Sequence, residues 1–269
     1  MWLSLVERCV RDAEVVGSNP AIPTIQSTVT GRLPGLSLSS ERAVLEALFH
    51  FVGYGLCHQL SERSFIGGGY QLPVCARDTG IYSGFILGIV AVWLLSRGTK
   101  PTELPRWPVL AIIAVFVGLM GYDGITSYAG LRETTNDVRL FTGLITGWGL
   151  ATITAPMVNT QIWKYPGTGR VVEGWKRLAG WLGLLGLAYA IMRWIMPLLG
   201  VIYPLLLTAA ILATYVTVNL VFVGLTPPFE RKAERLRDAW PQMLIALGLT
   251  ALELGGASLL RALAEHLIF

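Results

Sequence analysis

Residues 107–128 read WPVLAIIAVFVGLMGYDGITSY, and this stretch decides the fold. From Trp107 to Tyr122 no charge occurs, and the first is Asp123. At about 1.5 Å per residue such a helix covers the roughly 30 Å of a bilayer's hydrocarbon core. Five more blocks of this kind lie at about 79–96, 139–158, 178–199, 201–225 and 241–264. A seventh, 43–57, is shorter and contains Glu46 and His50. It suits either a tilted span or an interfacial helix, and a span is the expectation adopted. Pro197 and Pro204 bracket a tight turn between the fifth and sixth long blocks. The fold expected is an all-α, polytopic transmembrane helix bundle of six or seven spans, forming a single domain over residues 37–269.

The composition agrees. Of 269 residues, 53% are hydrophobic and 14% charged, against about 25% charged in an ordinary soluble domain. The net charge of +4 sits mostly between apolar blocks, where topology accounts for it, so nucleic acid is not an expected partner. The lipid bilayer is, together with a membrane-protein partner or a second copy of the chain. Three cysteines are too few for a disulfide scaffold. Residues 1–36 lack periodicity and the apolar core of a signal peptide. Gly17-Ser18-Asn19-Pro20 is the literal translation of GGT-TCG-AAT-CC, a transfer RNA T-arm sequence. This segment is expected to be a disordered or spurious extension, with a true start further along the chain.

The Lys and Arg count orients the bundle. Segments 97–106, 164–177 and 231–237 hold eleven of them; Arg63, Arg77, Arg132, Arg139 and Arg261 make five at the other ends. The richer side is expected to be cytoplasmic. Loops 58–78 and 129–138 then face outward together, and with seven spans the N-terminus is inside. The location expected is the inner membrane, multi-pass.

The chemistry gathers in the outward loops. Residues 57–82 read CHQLSERSFIGGGYQLPVCARDTGIY. Cys57 and His58 close one apolar block; Cys75 and Asp78 open the next. Thiolate, imidazole and carboxylate are the usual ligands of zinc and of other transition metals. Two plainer readings stay open. The cysteines suit a disulfide on an oxidising side, worth about 3 kcal/mol in the chain-entropy model, or they are inert packed thiols. Gly67-Gly68-Gly69 reads as loop flexibility, since no Lys-Ser/Thr follows to make a phosphate loop.

The second loop holds Asp123, Arg132, Asn136, Asp137 and Arg139. A charge well inside lipid costs at least about 2.5–3.5 kcal/mol, so Asp123 should face a partner or cavity. Arg132 or Arg139 is the expected partner, and Asn136 reads as a helix cap. Glu46, His50, Gly53 and Cys57 share one helical face as a polar stripe. Arg193 and Glu253 suit an interhelical pair.

These residues carry a resemblance. Cys57-His58, Glu62-Arg63-Ser64, VCARDTGIYSGF from Val74 to Phe85, Asp123-Gly124, LRETTN from Leu131 to Asn136, Arg139 and Thr142-Gly143 resemble the domain-of-unknown-function family 2085 of predicted membrane proteins, over roughly residues 50–150. The family usually reads Cys-Ala-Arg-Cys where this chain has Asp78. Metal ligation survives that change, because Asp is also a ligand, although a harder one. The resemblance brings no activity with it.

The expectation is therefore an integral membrane protein with a metal site at its extracytoplasmic face, of the kind a metal-dependent membrane enzyme would use. Zinc or another transition metal would be held by Cys57, His58, Cys75 and Asp78. Glu62, Arg63, Arg77, Tyr82, Asp123, Arg132, Asn136 and Arg139 would support the ligands or position a substrate. Thiol redox coupled to a membrane quinone is one alternative; a transporter or accessory subunit of a membrane complex is another.

Overall fold

A computed structural model of the protein describes residues 36–97 and 99–268. The proposed extension, 1–36, lies outside the described residues except for its last residue. Seven α-helices are described: α1 (Leu36–Tyr54), α2 (Ala76–Leu95), α3 (Trp107–Tyr128), α4 (Asn136–Ile162), α5 (Trp175–Ala190), α6 (Ile202–Gly224) and α7 (Trp240–Ile268). Six helical segments are long and apolar enough to cross a membrane: α2, α3, α4, α6, α5 extended to Leu199, and α7 with the turn before it from Leu236. The protein is thus a polytopic helical membrane protein, and the expected blocks match these helices to within a few residues.

Local sequence sets the helix ends. Pro108 sits in the first turn of α3, where a missing N–H costs nothing. Thr135 caps α4, its hydroxyl accepting from the Val138 N–H; Asn136 had been expected in that role and is instead the first helical residue. Beyond Ala190, α5 runs through a π turn (Ile191–Ile195) and a 3-10 turn (Met196–Leu199). Pro197 explains the widening, because its ring clashes with the carbonyl four residues earlier. Gly200, at φ +60°, makes the reversal into α6.

The tightest packing joins α2 to α4. A Cβ on Gly143 would lie 2.0 Å from the Arg77 carbonyl oxygen, and one on Gly147 2.0 Å from that of Ile81. Gly80 and Gly84 return the contact, at 2.3 Å from the Leu140 oxygen and 2.4 Å from that of Leu144. Small residues at four-residue spacing let two backbones touch, the usual basis of close helix pairing in lipid. Trp148 and Trp181 fill the centre beside this seam, both fully buried, with the Trp181 indole N–H donating to Thr152 Oγ1 at 3.0 Å.

The short first block is helical, but α1 is not among the six candidate spans. Its side-chain partners run along one end of the bundle. Arg42 donates to the Gly69 carbonyl and lies over Tyr70, Phe49 packs edge-on against Tyr70, and Tyr54 donates to Glu265 near the end of α7. Residues 42 and 54 would be about 18 Å apart along a membrane normal if α1 crossed; both instead touch the same end. The interfacial alternative is therefore the one that fits, and residue 36 and the end of α7 share a side of the bundle. The helix also stops at Tyr54, so Cys57 does not continue a helical face from Glu46 and His50. Arg193 and Glu253 do not pair with each other: Arg193 meets Asp137 at 2.7 Å, while Glu253 accepts from Asn219 on α6.

Candidate functional site

The end of the bundle beneath α1 carries the chemistry. Cys57 is held by its own backbone, since Arg261 of α7 donates to the carbonyls of Tyr54 and Cys57 at 2.6 and 2.7 Å. The chain then turns through Ser61–Arg63 into a hairpin, Ile66–Gly67 against Tyr70–Gln71. Gly68 and Gly69 have φ of +61° and +82°, the positive pair that a two-residue hairpin turn needs. A Cβ on Gly68 would also lie 2.5 Å from the Val201 amide. The glycines are there for turn geometry and close approach, in place of the flexibility expected of them. Two glutamines brace the return: Gln59 donates to the Pro73 carbonyl at 2.7 Å and Gln71 to the Gln59 carbonyl at 2.6 Å.

This brings Cys75, at the N-cap of α2, against Cys57. The Cys75 N–H donates to Cys57 Sγ at 3.3 Å, and the Cys75 thiol donates to Asp78 Oδ2 at 3.2 Å. Sulfur, sulfur and carboxylate oxygen all lie within 4.8 Å of one another, and all three residues are half-buried. Both thiols are free. The neighbouring Cys75 side chain holds the Cys57 thiol below its ordinary value, against burial that raises it. Contact with Cys57, burial and the Asp78 charge push the Cys75 thiol up.

His58 does not join this group. Its residue is exposed, and it lines a separate open cavity of about 400 Å³ with Glu46, His50, Gln71 and Arg261. A second cluster flanks the thiols. Asp123, 1% exposed, accepts from Arg77 at 2.6 Å, from Arg132, and from Thr134 at 3.0 Å. Arg139, expected as a possible partner, turns instead to Asn136 Oδ1 at 3.0 Å and Ser127. Asn136 donates to the Glu62 carbonyl, tying loops 58–78 and 129–138 together. Arg63 and Arg77 both face the ring of Tyr128, at 5.6 and 6.0 Å, and Arg63 makes only a loose pair with Glu62 at 3.9 Å. Tyr82, one turn beyond Asp78, packs inward beside Tyr215. Tyr128, Thr134, Gln59 and Gln71 were not singled out from sequence. Tyr128 closes an apolar block, and neutral side chains in a loop carry no signal of what they will brace.

The stretch that holds both loops recurs in other proteins. Residues 57–153 match the family model described as predicted membrane protein (DUF2085). An uncharacterized protein of Methanocaldococcus jannaschii is 34% identical over 110 residues, which are 40% of this chain and 67% of that protein. An uncharacterized protein of Methanothermobacter thermautotrophicus is 39% identical over 100 residues, 37% of this chain and 84% of its own length. This chain belongs to the DUF2085 family. No solved structure matches it. In this DUF2085 protein the matched stretch starts at Cys57 and covers α2, α3 and most of α4, so it contains both the thiol and the Asp123 clusters. Arg261 lies outside it.

The donor set fits a metal. Four ligands at zinc distances of about 2.0–2.3 Å stand roughly 3.5–4 Å apart, and the Cys75 to Asp78 separation of 3.2 Å is already at that scale. Three protein donors leave a tetrahedral ion one position for water or substrate.

Proposed function

We propose that this protein binds a transition metal ion, zinc or a close relative, through Cys57, Cys75 and Asp78 at the extracytoplasmic face of the membrane, with a fourth position open for chemistry. The observation that carries the reading is the convergence of two thiols and a carboxylate within 4.8 Å, drawn from the two ends of one connection that the hairpin and Arg261 hold together. His58 is left out of the ligand set, because it lines another cavity. A bound ion of this kind supplies Lewis acidity and lowers the pKa of a coordinated water. The protein's own groups supply the rest. Arg77, between Cys75 and Asp78 in the chain, and Arg132 are fixed on Asp123. An open ligand position with fixed cations beside it suits a metal-dependent membrane enzyme acting on an anionic substrate. Orientation rests on the Lys and Arg asymmetry: a reporter in loop 97–106 should behave as cytoplasmic and one in loop 129–138 should not.

Two free thiols in contact support a second reading, thiol redox. Cys57 and Cys75 would form a disulfide, passing two electrons and two protons to a membrane quinone and leaving the quinol. Metal content of the purified, intact protein separates the two. On the metal reading the wild type carries an equimolar ion, Cys75→Ser loses it, and Asp78→Cys keeps it and favours softer ions. On the redox reading metal is absent throughout, and a quinone analogue makes both thiols unreactive to maleimide. Wild type with neither metal nor quinone-sensitive thiols would sink both.

A further inference from the structure

A groove of about 420 Å³ opens on the outer third of α3, lined by Arg77, Met120, Gly121, Gly124, Ile125 and Tyr128. Its walls are apolar except at Arg77, which sits in the first turn of α2 at the level of the loops. The space exists because two wall positions are glycine. A Cβ on Gly121 would meet nothing within 4 Å, and one on Gly124 would meet only the Arg77 guanidinium, at 3.7 Å. Unlike the glycines facing α4, these leave a void toward the membrane.

The polar end of the groove carries surplus positive charge. Arg63 and Arg77 lie at Tyr128, Arg139 at Ser127 and Arg132 over Tyr122; the carboxylates paired with these four are Asp123, shared by Arg77 and Arg132, and Glu62, loosely on Arg63. Arg77 spends Nη2 on Asp123, while its Nη1 is on the groove side, 3.7 Å from where a Cβ on Gly124 would sit. A guanidinium donates strongly to phosphate oxygens.

We propose that this groove binds one anionic phospholipid, its phosphate against Arg77 and an acyl chain along Gly121 and Gly124. The shape takes a chain, the charge takes a phosphate, and their order along α3 matches a lipid's own order at a membrane surface. The site needs no metal, so it stands or falls apart from the thiol cluster.

Native mass spectrometry of the intact, detergent-solubilised protein, titrated with phosphatidylglycerol, tests this. Gly121→Leu fills the groove without touching the fold and should weaken binding about tenfold or more. Gly118→Leu, one turn earlier on α3 and equally open, should leave it unchanged. Arg77→Gln should abolish the preference for phosphatidylglycerol over uncharged diacylglycerol. Wild-type binding of diacylglycerol as tight as that of phosphatidylglycerol would overturn the proposal, by reducing the contact to ordinary chain packing. Displacement of the lipid by inorganic phosphate at equal concentration would overturn it too, by making the ligand a bare anion. So would equal affinities for wild type, Gly121→Leu and Gly118→Leu.

Discussion

Gly143 and Gly186 both lie inside membrane-spanning helices, yet their surroundings are opposite. A Cβ on Gly143 would strike the backbone of α2 at 2.0 Å, and one on Gly186 would meet nothing within 4 Å. The contrast extends to the helices that carry them. The most apolar stretch of α4 is 67% buried, that of α5, extended to Leu199, 17%, and that of α7 11%. The dense body is thus the pair of α2 and α4, 44% and 67% buried, with the thiol cluster at one end. Helix α3, at 22%, and α5 to α7, at 17%, 39% and 11%, lie more loosely around it. In lipid there is no hydrophobic drive between helices, so close fit has to supply the association. The glycine seam supplies it for α2 and α4, and most of α7 goes without.

The largest effect should therefore come from the seam. Gly147→Leu places a side chain where the Ile81 carbonyl sits, and no rotamer avoids a backbone atom. Monodisperse protein should be lost on size exclusion in detergent. Gly186→Leu should elute as wild type. If both variants behave alike, the contrast between the halves is wrong.

Asp123 comes next. It is buried among two arginines and a threonine, and removing one partner of a buried pair leaves the others uncompensated. Asp123→Ala should cost about 3 kcal/mol, read as a lowered unfolding midpoint in detergent. A loss as small as that of an exposed ion pair would mean that Arg77 and Arg132 find water instead.

The outer half reaches the site through Arg261, which grips the Tyr54 and Cys57 carbonyls from α7. If the thiol cluster holds the proposed metal, Arg261→Ala should leave the dense body folded and weaken binding about tenfold, as loss of a contact that orients a ligand does. Competition with a chelator measures it. Unchanged affinity would confine the site to the family segment alone.

Much of this was legible in the sequence, and the exceptions are instructive. Block length and charge spacing located all six spans, because an 18-residue apolar run has few other uses. The repeat Gly80, Gly84, Gly88 with Gly143 and Gly147 has the spacing of a small-residue seam, but glycine in a loop and glycine at a helix contact look alike without a partner. Cys57, Cys75 and Asp78 were legible as donors. That His58 would diverge was not, because adjacent residues in an extended segment point opposite ways and only the backbone at Gln59, with φ of +55°, fixes which way. The position of α1 was undecidable from composition: its Glu46 pairs with Arg42 four residues back, and only the contacts of Arg42 with the hairpin reveal a helix lying along the surface.

The smallest effect belongs to the far end of the bundle, and it sharpens the comparison from the other side. Charges are as frequent there as at the site, but they are spread on exposed loops. Glu103 pairs with Arg170 at 2.8 Å, with both side chains roughly half exposed. The loops are joined without that pair, because the Glu103 N–H donates to the Gly169 carbonyl at 3.1 Å and the Val171 N–H to the Glu103 carbonyl at 3.3 Å. Glu103→Gln keeps both backbone bonds and removes only a screened, solvated charge. Its cost should fall within about 0–1 kcal/mol and shrink further in high salt. Asp123→Ala in the same assay should respond less to salt, since Asp123 and Arg77 are buried and only Arg132 reaches solvent. A salt-independent loss of several kcal/mol at Glu103 would mean that the far end is built as tightly as the site, and that burial does not distinguish the two.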